Sequence, residues 1–514
     1  MNKKILKWNF IFQYGYVITN IINSIILLPL YLKRIDGSTL GLWLATGNIL
    51  AWMTLADPGV GDVLQQKIAQ LRGQNEDNEI GLTIGSGLSA SAGILLISIV
   101  AGFIFYFLIG TIINKDVSKY DGLQAALLIS IIATGMSLVS FSLSGINQGM
   151  QNSAPVAVSS LTGNVLFLIT NVLLLFLGFG VISIAFANLC RALYINIFNF
   201  AALRSVLNRD KLKIIFDGGH FKKFIRIFSF TSVSRIIGGF AASMDMIVLA
   251  RFVAPNMITL FEINKRPIQM TQSLLGRHSV ALMPVISHAK GRGDTAGIKN
   301  LIDTQFKYYV YAAIFVALCF ILNYHSLITA WTGPNKYAGD QIVFLLIANF
   351  FFGLIGYFMA NMGYALGDIK MNSLINIIKG VVCGVLFYLV TKPYGIVGLL
   401  VVMLTASICI DFIFFTYRLH KLGFLNMVFM RRSLSLWAIV IPVAALGGWG
   451  LSVLFNTVIP EPMYIIKILL NGTCFTVFFA GLVLLLDTGL RTALMDTVNT
   501  VFKMNFNKQT VVNE

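Results

Sequence analysis

Apolar residues run along the chain in fourteen long blocks, at roughly 10–32, 39–60, 84–110, 123–146, 156–177, 181–203, 224–250, 257–286, 307–330, 341–365, 372–391, 395–417, 435–457 and 464–487. A helix needs about 20 apolar residues to cross a bilayer, so the pattern predicts an all-α polytopic membrane protein with about 14 transmembrane helices. The polar connections are short, the longest lying around Leu203 to Phe224, and leave no room for a soluble domain. The block at 257–286 departs from the rest. Its stretch FEINKRPIQMTQSLLGR, Phe261 to Arg277, carries one acid and three bases.

At 3.6 residues per turn, Glu262, Arg266, Gln269, Ser273 and Arg277 fall on one helical face, with Lys265 at its margin. Charge inside a bilayer is costly and faces a bundle interior or an aqueous cavity. The stripe is therefore expected to line a lumen, where Arg266, Arg277, Lys265, Gln269 and Ser273 can bind substrate. Glu262 and Arg266, four residues apart, also suit simple mutual neutralisation. Pro267 removes a backbone donor beside the stripe and is expected to kink the helix. His278 points to the opposite side, as a packed or capped histidine does.

Other ionisable residues lie inside apolar blocks. Arg235, near the middle of the seventh, joins the substrate-binding candidates. Asp245 in the same block, Asp57 at the end of the second, and Glu262 are candidates for ion coupling or charge pairing. Arg191, with Asn188 and Asn196 near enough in sequence to solvate it, and Lys379 are candidates for structural or lumen roles. Lys467 is expected to snorkel. Gln13, Asn20 and Ser24 give the first block a polar face, which suits hydrogen bonding between helices as well as it suits sugar hydroxyls.

Composition agrees with the pattern: 57% of residues are hydrophobic and 11% charged, with a mean hydropathy of +0.80, where soluble domains are about 45–50% apolar and 25% charged. The net charge of +17 is mostly topological. With the N-terminus inside, cytoplasmic segments carry 24 of the 38 Lys and Arg residues and the outer loops seven, the bias that orients membrane proteins. Both termini are then cytoplasmic, and no nucleic-acid partner is expected. If 257–286 did not cross, the bases at 418–432 and 491–508 would move outside, so the bias supports that crossing. The opening MNKKILKWNFIFQYGYV is basic but lacks a small-residue cleavage site, and reads as a retained first helix.

Five cysteines and five histidines are scattered singly, with no metal-ligand or disulfide spacing. There is no HExxH and no GxxxxGK[ST] phosphate loop. No metal or cofactor is expected. The RGD at Arg292 to Asp294 reads as a solvated turn.

The chain also repeats itself. A shift of 218 places IAQLRGQNE (Ile68 to Glu76) on ISHAKGRGD (Ile286 to Asp294), Lys33 on Arg251, Trp43 on Phe261, Gly145 on Gly363 and Gly149 on Gly367. A shift of 215 places GFGVIS (Gly178 to Ser183) on PYGIVG (Pro393 to Gly398). Two six-helix halves follow, entering from the same side, hence parallel repeats related by an axis along the membrane normal. The expected division is 1–217 and 218–432 for the two lobes, 433–490 for an extra helix pair, and 491–514 for a cytoplasmic tail. Repeated halves are typical of alternating-access transporters. The expectation is a secondary transporter, not an enzyme, with a proton or sodium ion as a possible coupling ion.

The segment YLKRIDGSTLGLWLATGNILAWMTLADPGVGDVLQQKIA, Tyr31 to Ala69, resembles a signature of bacterial polysaccharide exporters, in which Gly-Leu-Trp opens the second helix and Asp-x-Gly-x-Gly closes it. LMPVISHAKGRGD, Leu282 to Asp294, resembles its counterpart after the eighth. The resemblance is to the Wzx-type O-antigen flippases of the multidrug, oligosaccharidyl-lipid and polysaccharide (MOP) exporter superfamily, and in architecture it covers roughly residues 1–490.

It implies a V-shaped pair of lobes that flips undecaprenyl-diphosphate-linked oligosaccharide repeat units across the bacterial cytoplasmic (inner) membrane in lipopolysaccharide biosynthesis, among membrane lipids and in association with polysaccharide polymerase machinery. The related lipid II flippases also have fourteen helices, and their extra pair forms a groove for the lipid tail, which implies the same for the spans after Ser435. A basic lumen suits a diphosphate, which arginine meets with a planar donor fork. Two alternatives stand beside this. A multidrug exporter of the same superfamily would normally stop at twelve helices and favour acidic lumen residues. A membrane-embedded polysaccharide-assembly enzyme would carry a large periplasmic loop.

Overall fold

Backbone amides in an apolar medium must find partners within their own segment, and this chain satisfies them as helix. The computed structural model describes residues 3–55, 60–74, 76–225, 244–291, 293–459 and 463–492, without a strand among them. The helices are α1 (Lys3–Arg34), α2 (Gly37–Leu55), α3 (Val60–Gln74), α4 (Asp77–Ile113), α5 (Leu123–Gly149), α6 (Ser153–Phe176), α7 (Ile182–Arg209), α8 (Pro255–Gly291), α9 (Thr295–Thr332), α10 (Asp340–Ala365), α11 (Ile369–Ala406), α12 (Phe415–Lys421), α13 (Met427–Val458) and α14 (Tyr464–Leu486). Residues 218–225 and 244–252 are also helical, and a π-helix, Ser407–Phe414, joins α11 to α12. Nine helical segments among the described residues are long and apolar enough to cross a membrane. The protein is an all-α, multi-pass membrane protein.

One expectation changes. The polar segment after the second block is a helix, α3, whose Val60, Leu64, Ile68 and Leu71 are buried against Ile80 and Ile84 of α4, Leu143 and Ile146 of α5, and Leu203 and Val206 of α7. Through Pro267, α8 runs as one helix of 37 residues, about 55 Å long at 1.5 Å per residue. The break between the eleventh and twelfth blocks falls at Gly395, inside α11, where φ is 57° and ψ −139°.

The helix starts carry the repeat. α2 begins at Gly37 and α8 at Pro255, 218 residues on; α4 begins at Asp77 and α9 at Thr295, again 218. The two helix starts of the first pair also touch. Thr259 Oγ1 donates to the Gly37 carbonyl at 2.6 Å, and Ser38 Oγ donates to Asn256 Oδ1 at 2.8 Å. A Cβ on Gly41 would collide with the Pro255 carbonyl and the Thr259 hydroxyl, so only glycine allows the approach.

The basic–Gly pair of the repeat has the same task in both copies. Arg72 Nη1 donates to the carbonyl of Met150, the C-cap residue of α5, at 2.7 Å. Lys290 Nζ donates to the carbonyl of Leu366, the C-cap residue of α10. Each satisfies a carbonyl that a helix end leaves without a partner.

The helices group into two compact units, residues 1–274 with 369–406 and residues 275–368 with 407–514. In the first, α5 packs on α2, α3, α4, α6 and α7, and α1 lies along α6. In the second, α9 packs on α10, α13 and α14. There Phe306 meets Phe358 and Trp437, Phe315 stacks on Phe475, and Lys307 Nζ pairs with Asp487 at 2.6 Å.

Candidate functional site

Within the first unit, the charged part of α8 meets the helical stretch 244–252. Lys265 Nζ donates to Asp245 Oδ2 at 2.5 Å, with side chains only 13% and 6% exposed. The Lys265 ammonium also lies 5.5 Å from the centroid of the Phe261 ring, within reach of a cation–π attraction. Arg266 Nη1 donates to Glu262 Oε1 at 3.2 Å. The two bases thus stand beside two carboxylates, and the neutralisation foreseen for Glu262 and Arg266 is formed.

That second pair is incomplete. Arg266 Nε and Glu262 Oε2 are buried without hydrogen-bond partners among the described residues, although the Arg266 side chain as a whole is 35% exposed. A buried polar group left unsatisfied costs about 1–3 kcal/mol. An added acceptor at Nε would be stabilising, and an oxyanion supplies one.

The remaining stripe residues are less engaged. Gln269 is half-buried, and the exposed Ser273 donates its hydroxyl to the Gln269 carbonyl at 2.9 Å. Arg277 is half-buried and belongs to the second unit. Next to it, the exposed His278 has Nε2 3.0 Å from Gln305 Oε1 and its ring stacked on Tyr309. Arg235 and Asp57 lie outside the described residues.

Arg191 reaches from α7 to α6. Asn188 and Asn196 give their amides to the carbonyls of Ile184 and of Met136 and Ala192, while Arg191 Nη1 donates to Asn164 Oδ1 of α6 at 3.3 Å. Its guanidinium lies 5.3 Å from the Phe167 ring centroid. Polar residues of α1 other than Gln13, Asn20 and Ser24 bond to α6: Asn164 Nδ2 donates to Thr19 Oγ1 at 3.0 Å, Asn23 Nδ2 to the Asn164 carbonyl at 3.1 Å, and Asn171 Nδ2 to the Tyr31 hydroxyl at 2.7 Å. Asn20 is half-buried on this helix, and Gln13 lies in it with its side chain outside the described residues. Lys379 is half-buried in α11.

Two residues depart from the sequence reading. Asp411, 9% exposed on the π-helix, was not singled out, though a lone acid in the run SICIDFIF marks it. Lys467 does not snorkel. It is 7% exposed, because its face of α14 turns inward to a cavity shared with α9 and α13.

A family profile described as "Polysaccharide biosynthesis protein" matches residues 10–290. No curated protein matches the chain in sequence. Among solved structures, the fold is similar to that of the lipid II flippase MurJ in an inward closed conformation, at 16% identity and a TM-score of 0.68, covering 93% of this chain and 99% of that one. It is also similar to an inward-facing multidrug resistance MATE family transporter of the MOP superfamily, at 15% identity and a TM-score of 0.60, covering 78% and 95%. A MOP superfamily transporter from Pyrococcus furiosus, described as having a binding pocket of reverse polarity, matches at 14% identity and a TM-score of 0.52, covering 80% and 95%.

Proposed function

The chain belongs to the polysaccharide biosynthesis protein family, and from that premise we propose that it flips polyprenyl-diphosphate-linked oligosaccharide units across the bacterial cytoplasmic membrane by alternating access. The observation that carries this reading is coverage: the lipid II flippase fold accounts for 93% of the chain, against 78% for the multidrug transporter fold. The cargo's diphosphate is assigned to Arg266, whose Nε lacks an acceptor among the described residues and whose fork suits phosphate oxygens. Lys265 and Gln269 flank it, and Arg277, Ser273 and Arg235 are further candidates. A coupling proton or sodium ion is assigned to the carboxylates Glu262 and Asp245, with Asp57 as a third. Cargo made on the cytoplasmic face leaves for a polymerase, and both termini are cytoplasmic in this reading.

The test is a reconstituted one. In vesicles carrying a polyprenyl-diphosphate oligosaccharide with a fluorescent sugar, the protein should expose inner-leaflet label to an impermeant quencher. Transport of a cationic dye without movement of the labelled lipid would establish the multidrug exporter reading instead.

A further inference from the structure

α14 carries a lysine where a helix least favours one. Lys467 lies in the first turn, at the positive end of the macrodipole, is 7% exposed, and has no acidic partner among the described residues. A buried ammonium in such a position calls for an anion or for water. Its side chain lines a cavity of about 630 Å³ in the second unit, walled by Asn323 and His325 of α9, Asn456 of α13, and Tyr464 and Asn471 of α14. No Asp or Glu is among the described lining residues.

A second buried group points the same way. Asn471, 4% exposed, donates Nδ2 to Asn323 Oδ1 at 3.0 Å, while its own Oδ1 is buried without a partner among the described residues. The cavity therefore offers a cation for an anion and, close by, an acceptor that needs a donor. At about 30 Å³ per water in the liquid, it is much larger than a lone ion requires. On its wall, Val458 exposes most of its apolar surface, which suits hydrocarbon.

We propose that this cavity binds a phosphate ester that also carries free hydroxyls, the phosphate on Lys467 Nζ and a hydroxyl donating to Asn471 Oδ1. The chemistry is that of a phosphoglycerol or sugar-phosphate group, borne by a lipid or free in solution. None of these residues takes part in the cargo binding proposed above, so either assignment can fail without the other.

The full chain in detergent micelles is titrated calorimetrically with dihexanoyl phosphatidylglycerol, dihexanoyl phosphatidylcholine, glycerol 3-phosphate and glycerol. The expected result is binding of phosphatidylglycerol, weakened about tenfold or more by Lys467→Gln, weakened less by Asn471→Ala, and retained by Lys467→Arg. Binding of glycerol 3-phosphate as well would show that the soluble ester suffices; its absence would mark the site as one for lipid.

Three results would overturn the proposal: no binding of either phosphate ester, equal binding of phosphatidylcholine or glycerol, or unchanged affinity in Lys467→Gln. The first describes a water-filled cavity. Should Lys467→Gln fail to fold, the four probes on the wild-type chain, with Lys467→Arg, still decide.

Discussion

Lys265 reaches from α8 to Asp245, and the two side chains are closed off from solvent together. A desolvated pair of this kind is costly to break and cheap to replace as a whole. Removing one partner leaves an uncompensated charge, worth about 3–5 kcal/mol, whereas an apolar pair of similar volume is often neutral. Asp245→Asn should lower the unfolding temperature in detergent, and adding Lys265→Met should restore most of it. A single variant as stable as the wild type would show that the pair contributes nothing to the fold.

Arg266 separates neutralisation from binding. Glu262→Gln with Arg266→Gln removes both charges, so membrane abundance should return to the wild-type level while lipid translocation stays lost. Arg266→Lys keeps a charge for Glu262 but not the Nε donor, and should translocate only in part. Normal translocation by the double variant would confine Arg266 to neutralising Glu262.

The duplicated cap predicts unequal costs. Lys290→Ala should destabilise by about 1 kcal/mol, as a lost hydrogen bond does, and Lys290→Arg should be tolerated. Arg72→Ala should cost more, because Arg72 also pairs with Asp210 at 2.9 Å. Hydrogen bonding from Arg209, with the charge of Arg72, holds the Asp210 carboxyl below the usual carboxylate range. Since the folded-state value is the lower one, the contribution is complete above about pH 4 and fades as pH falls through the depressed value. Unfolding curves of wild type and Asp210→Asn should therefore differ near pH 7 and converge in acid.

Reporter fusions should place Asn208 and Met430 in the cytoplasm and Lys115 and Lys336 outside. The structure adds a constraint. Lys115 Nζ donates to the carbonyls of Ala250 and Val253, and Arg251 Nη1 donates to those of Thr111 and Ile112. Each base caps the other's helix, so tags at Lys115 and Ala254 must report the same side; opposite sides would contradict the arrangement.

Fourteen apolar blocks were legible because a bilayer demands long, continuous stretches. α3 was not, since its polar residues dilute a helical recurrence of Val60, Leu64, Ile68 and Leu71 that was there to be counted. The repeat exposed the basic–Gly pair but not its work, because a cap needs the carbonyl of a distant helix end. The same limit hid Asn164 as a partner of Arg191. For Lys467, apolar neighbours along the helix fit a lipid-facing lysine and an inward one equally well; only the placement of α9 and α13 distinguishes them.

The meeting of the two helix starts has a consequence in the language of subunits. Residue 37 meets 259, residue 41 meets 255, and residue 38 meets 256; with copies 218 apart, that is one position to another's copy, the converse, and one position to its own. Such reciprocity defines an isologous interface between identical protomers, here enclosed in one polypeptide. Two identical protomers would have to carry the same residue on both faces. A fused chain does not: the position that is Gly41 on one side is Thr259 on the other, and the side chain given up by the first makes room for the hydroxyl kept by the second.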